Sequence, residues 1–67
     1  MIADRTRLTL AMARACMNAP EIAKAEKLPL QTVNNVLRGK SVRPITLGKV
    51  ARALGVDVTE LLAKEDS

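Results

Sequence analysis

Apolar positions recur along this chain at spacings of three and four from close to its start. Between Asp4 and about Met17, the residues Leu8, Ala11, Met12, Ala15 and Cys16 follow that period. The spacing predicts an amphipathic helix with Cys16 as a small buried core residue and Met12 and Met17 as core filler. Asn18, followed three residues later by Glu21, has the form of a capping box, and Pro20 falls in the first turn, where a missing N–H costs nothing. A second helix is therefore predicted from Ala19 to about Glu26, with Ile22, Ala23 and Ala25 turned inward. It stops near Leu28-Pro29, because the residue before a proline is pushed out of the helical region.

The third segment, Leu30 to Arg38, divides into two faces. Val33, Val36 and Leu37 share an apolar side, while Gln31, Asn34, Asn35 and Arg38 fall at i, i+3, i+4 and i+7 on the other. Gly39 stands where a glycine ends such a helix, and Lys40-Ser41-Val42-Arg43-Pro44 has loop composition. Thr46 is expected to cap a fourth helix that buries Leu47, Val50, Ala51 and Leu54 and stops at Gly55. A last short helix, from Val58 or Thr59 to Ala63, carries Leu61 and Leu62 ahead of a polar end at 64–67. With no repeat and no linker, the pattern describes one all-α domain over 1–67, a compact bundle of about five short helices. The tight connection between the second and third outlines a helix-turn-helix at about 19–38.

Composition narrows the function. A chain of 67 residues buries only about 60% of the surface it exposes when unfolded, which leaves no room for an enclosed active-site cavity. Phe, Tyr and Trp are absent, so Leu, Val, Ile, Ala and Met must fill the core, and aromatic stacking on bases is excluded. Most single-strand and loop-RNA binders go with it. Histidine is absent and Cys16 is the only cysteine, which removes zinc sites, intrachain disulfides and the Ser-His and Cys-His pairs that activate nucleophiles. Nor do Asp4, Glu21, Glu26, Asp57 and Glu60 have the spacing of a catalytic carboxylate pair. No enzyme, cofactor or metal is expected. The apolar runs are too short for a membrane span and the N-terminus lacks the apolar core of a signal peptide, so a cytoplasmic address is expected.

Charge adds the first positive hint. Asp57, Glu60, Glu65 and Asp66 against Lys64 leave residues 57–67 at −3, so residues 1–56 carry +7 within a total of +4. Arg38, Lys40, Arg43, Lys49 and Arg52 form an acid-free run that attracts a polyanion, whether a nucleic acid or a membrane surface. The amides of the third segment admit two readings: a solvated helix face, which more often uses Glu and Lys, or a face that reads bases.

Glu21-Ile22-Ala23, Leu28, Thr32-Val33, Val36-Leu37, Arg38-Gly39-Lys40, Pro44 and the stretch from Thr46 to Val56, which ends Ala53-Leu54-Gly55-Val56, occur in one order and register. From about Leu8 to Leu62 the chain resembles the Xre family, the Cro and phage-repressor type of DNA-binding domain. It departs from the family pattern at Lys27, where a turn glycine is usual, at Pro29, where Ser or Thr usually caps the recognition helix, and at Glu26, where an apolar residue is common. A left-handed Lys27 would cost roughly 1 kcal/mol.

The resemblance implies sequence-specific binding of double-stranded DNA, with the third helix in the major groove. Leu30, Gln31 and Asn35 then face base edges and suit an A·T-bearing half-site, since Gln and Asn pair with adenine and leucine meets a thymine methyl. Leu30 has packing as its alternative role. Thr32, Asn34, Arg38, Lys40, Ser41 and Arg43 would contact phosphates, as would the backbone N–H groups of Asn18 and Ala19. A homodimer is expected through Val56, Val58, Leu61 and Leu62, unless those four close the monomer's own core. The competing function is a protein-interaction module, such as a small antitoxin or assembly factor, for which DNA is secondary.

Overall fold

The computed structural model describes residues 1–62, and each of its helices begins and ends for a local chemical reason. α1 (Arg5–Ala15) starts at Asp4, whose carboxylate accepts the Arg7 N–H at 3.1 Å. It ends where Cys16 turns left-handed at φ 55° and the Met17 N–H returns to the Met12 carbonyl at 3.1 Å. α2 (Ala19–Glu26) opens on the expected capping box: Asn18 accepts the Glu21 N–H at 3.0 Å, and Glu21 accepts the Asn18 N–H at 2.9 Å. α3 (Leu30–Leu37) follows Pro29, whose carbonyl takes the Thr32 and Val33 N–H groups at 3.0 and 3.3 Å. Gly39 at φ 80° closes it and lets the Lys40 N–H reach the Asn35 carbonyl at 3.1 Å. α4 (Pro44–Leu54) ends at a left-handed Gly55. A 3₁₀ turn (Val58–Leu61) is opened by Asp57, which accepts the Thr59 N–H at 2.9 Å and its hydroxyl at 2.8 Å.

The all-α architecture agrees with the periodicity, but the described residues form four α-helices rather than five. The last segment is a single 3₁₀ turn, after which Leu62 is extended and bridges Ala3 in antiparallel fashion. Ala63, the expected end of that helix, and the polar end at 64–67 lie outside the described residues. Thr46 does not cap α4. The helix starts earlier, at Pro44, whose fixed φ and missing N–H suit a first turn, and Arg43 holds the cap position without a side-chain bond. Cys16 is exposed, because α1 has already ended and the left-handed turn swings it off the core face. Ala25 is exposed too, and Glu26 beside it is the half-buried residue.

The core is one cluster to which every helix contributes. Leu8, Ile22, Val33, Val36, Leu47, Val50 and Leu61 are its largest fully buried side chains, with Ala3, Ala11, Ala23, Ala51 and Leu54 between them. Met12 and Met17 pack against it half-buried. α2 rests on both α3 and α4, while α1 is held by α4 and the 3₁₀ turn.

Lys27 ends α2 in the left-handed region, at φ 54° and ψ 42°. A β-carbon there is strained, so Lys27→Gly is expected to raise the free energy of unfolding by about 1 kcal/mol. The check is a higher urea midpoint at unchanged slope. An unmoved midpoint would mean that the lysine stem recovers the strain through its own contacts.

Candidate nucleic-acid interface

α3 buries Val33 and Val36 and turns its amides toward solvent: Gln31 is exposed, and Thr32, Asn34 and Asn35 are half-buried at its edges. Leu30, at 45% exposure, does not belong to the core. The loop after α3 comes back alongside this face. Thr32 and Asn35 from α3, Ser41, Val42 and Arg43 from the loop, and Thr46 from α4 line one open depression. Four residues expected to contact DNA are therefore brought together, and two more join them. The sequence pattern marks Thr46 as a cap and Val42 as plain loop, so nothing local signals their place here.

The loop is held from outside its own neighbourhood. The Val42 N–H donates to the Met1 carbonyl at 2.7 Å, and the Met1 amine donates to the Val42 carbonyl at 2.8 Å. The same N-terminal segment is pinned on its other flank, where the Asp4 N–H donates to the Leu61 carbonyl at 2.7 Å.

Electrostatics sort the basic residues. Arg52 donates from Nε to both oxygens of Glu26, at 3.2 and 3.3 Å, and joins α4 to α2. Only 9% of the Glu26 side chain remains exposed. This explains the departure at Glu26: the carboxylate fills an inward-leaning position because Arg52 satisfies it. The hydrogen bond from Arg52 holds the Glu26 carboxyl below its ordinary value, against the opposing effect of burial and with help from the charges of Arg52 and Lys49. Arg52 is thus withdrawn from the acid-free run, and Arg14 lies 3.8 Å from Glu60 on another side. Arg38, Lys40 and Arg43 pair with no carboxylate among the described residues.

A lowered folded pKa gives stability that is complete above the unfolded value, near 4.5 for Glu26, and lost as pH falls through the folded value. Asp57, lowered by its bonds from the Thr59 N–H and hydroxyl, acts in the same direction. Glu26→Gln is therefore expected to make the loss of stability on acidification shallower, leaving the share of Asp57. Urea unfolding at a series of pH values from about 6 downward would show this; an unchanged acid limb would mean the pair adds nothing to folding.

The expected phosphate contact at the Asn18 N–H is not available. That donor is taken by Glu21, whose carboxylate also places negative charge at the start of α2. The Ala19 N–H has no acceptor among the described residues. α3, by contrast, starts with no side-chain cap and no acid in its first turn. The expected dimer patch is also altered. Leu61 is completely buried, and Val56, Val58 and Leu62 are half-buried against the core, because the 3₁₀ turn folds back onto α1 and α4. The large apolar side chains left outside are Met1, Ile2, Leu10, Leu30 and Ile45, the last at 66%.

Among the described residues, no helix is long and apolar enough to cross a membrane, and no three His, Cys, Asp or Glu side chains gather as a metal site would need. Compared with protein-family models, with curated proteins and with solved structures, the chain gives no match.

Proposed function

We propose that this chain is a sequence-specific double-stranded DNA-binding regulator of the helix-turn-helix type, a repressor that occupies an operator with α3 in the major groove. The observation that carries the reading is the shared depression of Thr32, Asn35, Ser41 and Arg43, flanked by cations that have no carboxylate partner among the described residues. The Asn35 amide, of a kind that pairs with adenine, stands beside hydroxyls and the Arg43 guanidinium, which suit phosphate. In this reading Leu30, Gln31 and Asn35 face base edges, and Thr32, Asn34, Arg38, Lys40, Ser41 and Arg43 hold the backbone. The resemblance to Xre-family repressors supports it from the sequence side.

An eight-residue α3 is about 12 Å long, which covers only a few base-pair steps. Selective binding then calls for two copies on half-sites about one helical turn apart. The partly exposed Val56, Val58 and Leu62 are the surface assigned to that dimer.

The test is selection of bound duplexes from a random pool at roughly physiological salt. Enrichment of an inverted repeat with half-site centres about ten base pairs apart supports both readout and dimer. An unenriched pool, with binding that collapses as salt rises, leaves only a non-specific electrostatic face. That result would favour the second reading, a protein-interaction module such as a small antitoxin or assembly factor. Leu10, 58% exposed between Arg7 and Arg14, supports it.

A further inference from the structure

We propose that Arg5, at the start of α1, is an additional phosphate contact that grips the duplex backbone together with Arg38 across Gly39. The proposal rests on the DNA-binding reading and extends the interface to a part of the chain that neither α3 nor its loop contains. The Arg5 stem lies over the turn that ends α3: a β-carbon placed on Gly39 would meet Arg5 Cγ and Cδ at 3.7 Å each. Arg5 and Arg38 thereby line one depression between the N-terminal segment and Gly39.

Neither guanidinium is paired with a carboxylate among the described residues. Asp4, the acid in the same depression, has an oxygen engaged by the Arg7 N–H. Two cations lining one depression repel each other, and a phosphate between them removes that cost. Guanidinium forks match phosphate oxygens two at a time, a geometry a lysine ammonium does not offer. The Met1 and Val42 backbone pairing keeps the N-terminal segment beside the loop that carries Lys40 and Arg43. The start of α1 is thus tied to the phosphate-binding edge and not only to the core.

The experiment measures duplex affinity by fluorescence anisotropy over a range of salt concentrations, on the selected duplex and on an unrelated one. The chains compared are the wild type, Arg5→Gln, Arg5→Met, Arg5→Lys and Arg38→Gln. Arg5→Met keeps an apolar stem against Gly39 and removes the guanidinium with its charge and its donors, which guards against a variant that fails to fold. Both uncharged Arg5 variants are expected to lower the slope of log affinity against log salt by about one unit and to weaken both duplexes by the same factor. Arg5→Lys is expected to restore the slope. If the uncharged Arg5 variants leave slope and affinity unchanged while Arg38→Gln lowers the slope, the role of Arg5 is refuted and the DNA-binding reading stands. A wild-type chain that binds neither duplex overturns both.

Discussion

Leu61→Ala is expected to lower the free energy of unfolding by about 2–5 kcal/mol, and by the same amount at every protein concentration. Leu61 is one of the fully buried side chains, set by the 3₁₀ turn against α1 and α4, and its carbonyl accepts the Asp4 N–H at 2.7 Å. Truncation removes its apolar contacts and leaves a cavity at the joint between the two ends of the fold. A domain of this length has a total stability of about 3–10 kcal/mol, so the loss is a large share of the whole. Leu61→Met, which keeps the volume, should cost less than about 1.5 kcal/mol and remain folded. Urea unfolding of both variants at two protein concentrations decides the matter. A loss that shrinks as the protein is diluted would place Leu61 in a subunit contact instead.

Asn35→Ala is expected to weaken binding to the selected duplex by about 1–3 kcal/mol, while unrelated duplexes change little. The side chain stands half-buried at the edge of the α3 face, in the depression shared with Ser41 and Arg43. Its backbone carbonyl already holds the Lys40 N–H, so the substitution leaves the helix end in place. A carboxamide offers a donor and an acceptor in one plane to adenine N7 and N6; alanine offers neither, so selection should relax at one base pair of each half-site. Repeating the pool selection with the variant reads this directly. Equal losses on every duplex would make Asn35 a backbone contact and remove it from base readout.

Much of the fold was legible because the signals are local. The three-and-four spacing of Leu8 with Ala11, Val33 with Val36, and Leu47 with Val50, Ala51 and Leu54 describes faces that one helix must bury whatever it packs on. The Asn18 and Glu21 capping box and the glycines at 39 and 55 act within a single turn, and all four residues behave as their chemistry dictates. Local signals compete at Cys16 and at Thr46. Cys16 fits the apolar period of α1 but follows its last residue, and Thr46 is a good cap that lost to Pro44, a better first-turn residue two positions earlier.

The candidate site divides the same way. The amide face of α3 and the basic loop after it are contiguous in the chain, so their residue types could be read in order. Their arrangement depends on partners far away in sequence. Glu26 loses its oddity only when α4 brings Arg52 onto it, and that same contact removes Arg52 from the cations free to meet a polyanion. Val42 is placed by Met1, and Arg5 comes to Gly39 only because the N-terminal segment is threaded between the loop and Leu61. Residue type and spacing within a turn were enough to define the four α-helices, their buried faces, the absence of aromatic and histidine chemistry and the excess of positive charge. Which charges are neutralised, which apolar residues near the C-terminal end are covered and how the loop is held all depend on atoms that meet across the fold, far apart in the chain.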